Sequence, residues 1–214
     1  MKILDLFCCE GGAAVGYANA GFDVVGVDLE PRFAKRYPFE FVAADALDYV
    51  AEHGREFDAI HASPPCQAYT NAQRIRGNAH PDLVGPTRDL LGAIGVPYVI
   101  ENVEGAPLLN PGLLCGAMFG MRTFRHRLFE SNVALTFPAH PAHDARSTKM
   151  GRPVRDGEYM HVVGNFSGVA LAREVMGMPW ASRDGLREAI PPAYTEYIGG
   201  QLITALTAQQ RRSA

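Results

Sequence analysis

The first hundred residues alternate short apolar runs with helical segments, and this alternation restricts the fold more than any other feature of the chain. Strands separated by helices form parallel sheets, because a parallel connection must cross back over the sheet. Strands are predicted at 2–6, 23–28, 39–45, 57–63 and 96–102, and helices at 13–21, 31–37, 46–54 and 87–95. We therefore predict an α/β fold with a doubly wound, mostly parallel sheet.

The alternation ends near residue 105. Residues 105–125 are rich in Gly, Pro and Leu and are predicted to form a loop, and 126–135 are predicted to form one or two strands. Residues 138–160 are polar, basic and poor in core residues, which indicates an exposed loop or a very small subdomain. Two helices, at 171–178 and 191–212, are predicted to close the chain.

Composition narrows the class of protein. The formal net charge of −3 gives no overall basic field, although a local basic patch is compatible with it. No apolar run approaches the roughly 20 residues that span a bilayer, so we predict no membrane association. The four cysteines form no CxxC pair, and the histidines lack zinc-ligand spacing relative to them. We expect reduced thiols, no metal site and a cytoplasmic protein.

The first predicted strand runs into the glycine-containing stretch "DLFCCEGG", which opens the first helix. Such a corner accepts a phosphate or a carboxylate, because the helix N-terminus offers unpaired N–H groups. Asp28 and Asp45 end the next two strands, where a sheet of this kind binds ligands. A nucleoside-bearing cofactor fits this pattern, with one acid on the ribose hydroxyls and the other on the adenine amino group. The alternative for each acid is a helix N-cap or a turn.

The fourth and fifth strands end in "SPPCQ" and "ENV", which brings a thiol and a carboxyl group to the same crevice. Cys66 is either a rigidly held nucleophile or a small residue in a turn. Further on, Arg125 and Arg127 lie two residues apart on one side of an extended segment. They could bind phosphate or carboxylate, or form a solvated strand edge.

Seven segments in this order, "DLFCCEGG", "VDLEP", "AAD", "SPPCQAYT", "ENVEG", "RHRLFE" and "IPPAYTEYIGGQL", resemble the cytosine-C5 DNA methyltransferase family. The resemblance covers nearly the whole chain except about residues 132–165. It implies the Rossmann-like fold of S-adenosylmethionine-dependent methyltransferases and a DNA (cytosine-5-)-methyltransferase activity. It also implies S-adenosyl-L-methionine as the cofactor and cytosine-containing DNA as the substrate.

The resemblance implies a role for each matched residue. Cys66 would add to C6 of a flipped-out cytosine, and Glu101 would bind and protonate N3. Arg125 and Arg127 would lie at the base pocket and complete the catalytic set. Gln67 would contact the nucleic acid. The implied cofactor-binding residues are Phe7, Cys8, Cys9, Glu10, Gly11, Gly12, Asp28, Leu29, Asp45, Ala46 and Pro64.

Three positions depart from the family pattern. Cys9 stands where the family usually has glycine, Thr123 stands where it has glutamine, and the Gly-Asn that usually precedes the last motif is absent. The region in which relatives carry a target-recognition domain has only about thirty residues. We therefore expect a catalytic and cofactor-binding domain at 1–131, a reduced target-recognition loop or subdomain at 132–165, and C-terminal helices at 166–214 that complete the catalytic domain.

The short region contains four basic residues that we predict to contact DNA, unless they belong to a solvated loop: Arg146, Lys149, Arg152 and Arg155. Phosphate contacts alone would position DNA without reading its sequence, so recognition could need a protein partner or a second copy of the chain. Two alternatives stay open. One is the same chemistry on tRNA or a free cytosine nucleotide, and the other is a nonenzymatic DNA-binding or partner module.

Overall fold

The computed structural model describes residues 1–69 and 81–213. Thr70, which ends the motif "SPPCQAYT", and residues 71–80 of the predicted polar loop lie outside the described residues.

A seven-stranded, mostly parallel sheet forms the centre of the molecule, which confirms the predicted fold class. Its strands are β1 (Lys2–Leu6), β2 (Asp23–Asp28), β3 (Glu40–Ala43), β4 (Ala59–Ala62), β5 (Tyr98–Asn102), β6 (Gly112–Leu114) and β7 (Arg127–Ser131). Their order across the sheet is β3-β2-β1-β4-β5-β7-β6. β7 runs antiparallel to both of its neighbours, whereas β1 to β5 pair in parallel.

The helices are α1 (Gly12–Ala20), α2 (Ala46–His53), α3 (Val84–Ile94), α4 (Val169–Met176), α5 (Arg183–Glu188) and α6 (Pro192–Ser213). Two predictions were wrong here. The segment predicted as a helix at 31–37 contains only a short 3₁₀ turn, Pro31–Lys35, because Pro38 follows it closely and blocks further helical bonding. β6 lies in the stretch 105–125 that was predicted to be loop, and it pairs with β7.

The sheet carries a hydrophobic core on each face. Successive residues of a strand point to opposite faces, so Ile3 packs with residues of α1 and α6, whereas Leu4 packs with residues of α2 and α3. Both side chains are fully buried. The two faces explain why β1, β4 and β5 are apolar without alternation.

α1 and α6 pack at backbone distance. A Cβ atom placed on Gly16 would lie 2.1 Å from the carbonyl oxygen of Pro192, and one on Gly12 would lie 2.3 Å from that of Ile190. Glycine at these two positions therefore lets the C-terminal segment lie directly against the first helix. As a result, the last part of the chain borders the loop that follows β1.

Residues 132–168 contain little regular structure apart from a parallel pair of two-residue strands, β8 (Arg146–Ser147) and β9 (Glu158–Tyr159). Met160 and Phe166 share an apolar cluster with residues of α4 and α5. The end of the short region is therefore packed on the C-terminal helices, and the division of the chain at residues 131 and 165 stays a prediction.

Within the described residues, no helix has both the length and the apolar character that a bilayer crossing requires.

Candidate active site

A cleft of about 510 Å³ opens at the carboxyl ends of β1, β2, β4 and β5. This volume lies in the range of small-molecule sites. β1 leads to β2 on one side and neighbours β4 on the other, so the cleft lies where the chain changes direction across the sheet. Phe7, Asp28, Asp45, Cys66 and Glu101 all line it, which brings the predicted cofactor and catalytic residues together in one place.

The loop after β1 turns sharply, with left-handed backbone at Phe7 (φ 58°), Cys9 (φ 47°) and Gly11 (φ 80°). Asp28 holds this turn, because its Oδ2 accepts a hydrogen bond of 3.0 Å from the backbone N–H of Cys9. Its Oδ1 accepts from the N–H of Glu30 at 3.0 Å, so the acid also closes its own turn. The Asp28 carboxylate therefore fixes two cleft-lining loops relative to each other.

Asp45 is the N-cap of α2, and its Oδ1 accepts from the backbone N–H groups of Leu47 (2.8 Å) and Asp48 (3.1 Å). The helix-cap alternative is thus realised. The same side chain lines the cleft, and both recorded bonds use Oδ1. A capping role and a contact of Oδ2 with a ligand are compatible.

Glu10 is buried and binds the C-terminal segment. Its two carboxylate oxygens accept 2.6 Å bonds from the N–H and the hydroxyl of Ser182, and its carbonyl accepts from the Trp180 indole at 2.8 Å. Ser182 in turn caps α5, a helix that the sequence analysis did not predict. The side chain of Glu10 thus ties the first loop to α5, although the residue also lines the cleft.

The other predicted cofactor residues also lie at this corner. Phe7, Cys8, Cys9, Gly12, Leu29, Ala46 and Pro64 line the cleft, and Gly11 is the N-cap of α1. Further lining residues that the sequence analysis missed are Asp5, Glu30, Arg32, Phe33, Glu188, Ala189 and Ile190. The last three precede α6, at the place where the family's Gly-Asn is absent. Acidic groups outnumber basic groups along this wall, which suits a ligand that carries positive charge.

The loop that carries Cys66 is anchored on both sides of the cysteine. The Asn102 side-chain amide donates 2.9 Å to the carbonyl of Pro64, and the Tyr69 N–H donates 3.0 Å to the carbonyl of Cys66. Burial raises the pKa of the Cys66 thiol, and the nearby positive charge of Arg127 opposes that shift without cancelling it. The protein by itself therefore favours the thiol, and further positive charge in the cleft would favour the thiolate.

Glu101 lies at the end of β5, buried, with Arg127 Nε 2.9 Å from its Oε1. The Nε–H bond of Arg127 does not point at this oxygen, so the contact is an ion pair and not a hydrogen bond. Oε1 therefore has no hydrogen-bond partner among the described residues. Burial raises the pKa of Glu101, against the lowering effects of Arg127, Arg125 and a hydrogen bond with Ser63. A carboxyl group with a raised pKa and an unpartnered oxygen can donate a proton or accept a hydrogen bond in this cleft.

A buried hydrogen-bonded chain leads away from Ser63. The Ser63 hydroxyl lies 2.7 Å from His61 Nε2, and His61 Nδ1 lies 2.9 Å from the Tyr17 hydroxyl. Burial lowers the pKa of His61 to about 3, so its ring is neutral at physiological pH. The chain therefore fixes the orientation of the serine that contacts Glu101.

Arg125 does not line the cleft, unlike Arg127. Its three guanidinium nitrogens donate to the carbonyls of Ala189 (2.7 Å), Val162 (2.7 Å) and Arg187 (2.8 Å). Its own carbonyl accepts from the Tyr194 hydroxyl at 2.8 Å. Arg125 thus joins the stretch before β7 to the segments around residues 162 and 187–194.

The predicted nucleic-acid contacts are distributed unevenly. Gln67 lines the cleft. Lys149 lines a neighbouring groove of about 660 Å³, which shares Val103 and Arg127 with the cleft. Arg146, Arg152 and Arg155 are exposed and lie outside the lining of that groove.

Comparison with known proteins gives one matching family. A sequence model described as C-5 cytosine-specific DNA methylase matches residues 1–85. Type II methyltransferase M.HgiGI of Herpetosiphon aurantiacus is 31% identical over 121 residues, which cover 50% of this chain and 94% of that protein. Type II methyltransferase M.FnuDI of Fusobacterium nucleatum is 28% identical over 116 residues, or 49% of this chain and only 33% of that protein.

Two solved structures share the fold over almost their full length. One is described as a DNA modification methyltransferase encoded within a prophage (E. coli), with a TM-score of 0.69 and 14% identity over 97% of this chain and 99% of that one. The other is the Entamoeba histolytica methyltransferase EhMeth, with a TM-score of 0.60 and 10% identity over 96% and 98%. At these identities the likeness concerns the fold alone.

Proposed function

This chain belongs to the C-5 cytosine-specific DNA methylase family, and from that premise we propose that it is a DNA (cytosine-5-)-methyltransferase. The observation that carries the proposal is the convergence of Cys66, Glu101 and Arg127 in the cleft that also holds the residues of the cofactor corner. The chain matches about a third of the length of the M.FnuDI relative, and the proposed activity therefore rests on the site.

The cleft fits S-adenosyl-L-methionine by the chemistry of its lining. The walls carry the carboxylates of Asp28, Glu30 and Asp45, which suit ribose hydroxyls and a cofactor with a positively charged centre. The first turn of α1 offers backbone N–H groups for a carboxylate. When bound, this cofactor supplies the methyl group on a cationic sulfonium.

The reaction begins at Cys66. Its thiolate forms a bond to C6 of a cytosine, and the ring electrons move towards N3, where the Glu101 carboxyl group delivers a proton. The raised pKa of Glu101 keeps that proton available, and the Arg127 guanidinium stabilises the carboxylate that remains. C5 thereby becomes nucleophilic and accepts the methyl group. A base such as water then takes the C5 proton, Cys66 leaves as the thiolate, and the N3 proton returns to the Glu101 carboxylate, which restores the aromatic ring.

Rigid support of the nucleophile follows from its loop. Pro64 and Pro65 restrict the backbone before Cys66, and the Asn102 amide holds the carbonyl of Pro64 at 2.9 Å. Asn102 directly follows Glu101, so the anchor links the thiol loop to the acid that must act with it. We assign Arg125 a positioning role, since its guanidinium binds backbone carbonyls.

A cytosine in duplex DNA cannot reach Cys66 while it is stacked. We therefore propose that the target cytosine is flipped out of the DNA into the cleft. The groove beside the cleft, with Lys149 on its wall, is the proposed path of the strand. In the short region, contacts from exposed arginines would position phosphates without specifying bases.

A methyl-transfer assay with radiolabelled S-adenosyl-L-methionine tests the proposal. We expect label in DNA that contains cytosine, none in DNA with 5-methylcytosine at every cytosine position, and none with Cys66→Ser. Exclusive labelling of tRNA or of free dCMP would instead support the alternative substrates. Absence of transfer to all three, by protein that binds the cofactor in calorimetry, would overturn the enzymatic proposal.

A further inference from the structure

Four metal-ligating side chains converge beside the candidate active site, outside the cleft. The sulfur of Cys115 and one ring nitrogen each of His126, His140 and His143 all lie within 4.8 Å of one another. The sequence analysis predicts no metal site, because these residues are far apart in the chain and follow no zinc-ligand spacing. The fold brings them together, and their convergence is an observation that the expectation of no metal site does not account for.

Strand pairing accounts for half of the cluster. Leu114 of β6 is the register partner of Arg127 of β7, so Cys115 and His126 are the next pair beyond the end of the ladder. The other half comes from the loop after β7, where His140 and His143 are three residues apart. The His143 ring stacks on Phe124, with ring centroids 3.6 Å apart, and this contact holds the loop against the sheet edge.

Hydrogen bonding among the rings explains the arrangement poorly. Nε2 of His126 lies 3.0 Å from Nε2 of His140 and 3.4 Å from Nε2 of His143, whose Nε2 in turn lies 3.4 Å from the sulfur of Cys115. A neutral imidazole nitrogen has either one proton or one lone pair, so Nε2 of His126 cannot bind both neighbours fully. A cation between the four atoms would satisfy all of them.

We propose that Cys115, His126, His140 and His143 bind one zinc ion. Three imidazoles with one thiolate form a donor set that favours zinc, and four ligands close a tetrahedral structural site. Zinc bonds of about 2.0–2.3 Å place the ligand atoms about 3.3–3.8 Å apart. Three of the contacts here measure 3.0, 3.4 and 3.4 Å, and every pair lies within 4.8 Å, so small side-chain shifts would complete the tetrahedron. His126 Nδ1 lies 3.1 Å from Glu104 Oε2, the carboxylate contact that orients a zinc-binding histidine.

The proposed site joins three segments of the chain: the end of β6, the start of β7 and the loop at 138–145. His126 lies directly between Arg125 and Arg127, so the zinc would fix the start of β7, from which Arg127 reaches Glu101. It would also fix the loop that leads into β8 and the basic residues after it. The inference concerns metal binding and does not depend on the proposed methyl transfer.

Metal analysis of the purified chain, loaded with zinc chloride and dialysed, tests the site. We expect one zinc per chain, and loss of that zinc in Cys115→Ser and in His143→Asn. His53→Asn changes a half-buried histidine on α2, remote in the chain from the cluster, and should keep the full zinc content. Glu104→Gln should retain the ion with about tenfold to hundredfold weaker affinity, because only the orientation of His126 is affected.

Cobalt substitution and proteolysis give independent readouts. Cobalt-loaded protein should show a tetrahedral visible spectrum and a thiolate charge-transfer band that disappears in Cys115→Ser and persists in Cys66→Ser. Zinc should slow trypsin cleavage after Arg146 and Lys149 severalfold in the wild type and not in His143→Asn. A folded wild-type chain that retains no zinc, or zinc retention equal in His143→Asn, would overturn the proposal.

Discussion

Arg127 Nε lies 2.9 Å from Glu101 Oε1, and both side chains are largely withdrawn from solvent. The guanidinium offsets part of the cost of burying the acid, yet burial still raises the pKa of Glu101. The Glu101 carboxyl group can therefore hold a proton and transfer it to a cytosine bound in the cleft. This balance between the two residues is the central electrostatic feature of the site.

Glu101→Gln should abolish proton delivery while it keeps the size and polarity of the side chain. We expect kcat to fall by about 10²–10⁴-fold, the usual contribution of a general acid, with little change in cofactor affinity. Single-turnover methyl transfer and calorimetry with S-adenosyl-L-methionine would measure the two effects separately. Activity within threefold of the wild type would remove Glu101 from the proposed mechanism.

Asp5 gives the fold a pH dependence. Burial raises its pKa to about 8, far above its ordinary value of 3.8, so the folded state holds a proton that the unfolded state loses at lower pH. The contribution of the Asp5 proton to the free energy of unfolding is fully present below about pH 4 and is lost as the pH rises to about 8. Urea unfolding should therefore show a free energy lower at pH 8 than at pH 5, by roughly 1–4 kcal/mol.

Asp5→Asn should remove most of the difference in the free energy of unfolding between pH 5 and pH 8, because an amide does not titrate. The amide oxygen can still accept the hydrogen bond from the Tyr37 hydroxyl. Equal pH dependence in the variant and the wild type would assign the titration to another group.

Cys9 occupies left-handed backbone at φ 47°, where the family usually has glycine. Such a conformation costs a side-chain-bearing residue about 1–2 kcal/mol, offset in part by the greater chain entropy of glycine when unfolded. We expect Cys9→Gly to raise the free energy of unfolding by about 0.5–1 kcal/mol. Thermal unfolding would detect this as a rise in Tm of a few degrees, whereas Cys8→Gly, at a buried position, should lower Tm.

Lys149 and Arg155 form a matched pair for DNA binding. Both are exposed and basic, but Lys149 lines the groove beside the cleft and Arg155 does not. Lys149→Ala should weaken DNA binding similarly across sequences and reduce the slope of log K against log salt by about one. Arg155→Ala should weaken DNA binding less than Lys149→Ala does. A larger effect of Arg155→Ala would mean that the DNA strand does not follow the groove that Lys149 lines.

The sequence allowed the parallel sheet and the cleft to be predicted, because strand and helix periodicities are local and the carboxyl ends of parallel strands meet at one edge. Cys66, Glu101 and Asp28 were found in this way. Glu10 and Arg125 were harder, since their partners, Ser182 and the carbonyls of residues 162, 187 and 189, are distant in the chain. Their packing roles depend on how the C-terminal segment folds back.

The cluster of Cys115, His126, His140 and His143 also could not be predicted from the sequence, for the same reason. No spacing in the sequence joins a cysteine, a histidine between two arginines and a histidine pair in a polar loop. Only the antiparallel pairing of β6 with β7 makes Cys115 and His126 neighbours. β6 itself has three residues in a Gly- and Pro-rich stretch, too short for a periodic signal.

Covalent trapping on DNA that contains 5-fluorocytosine tests the central claim most directly, because fluorine at C5 cannot leave as a proton and the adduct persists. With S-adenosyl-L-methionine present, we predict a stable protein–DNA complex whose tryptic digest locates the adduct in the peptide of residues 56–74, which contains Cys66. Cys66→Ser should form no complex, and Cys115→Ser should still form it at long incubation. An adduct on any other residue, or trapping that survives in Cys66→Ser, would contradict the account.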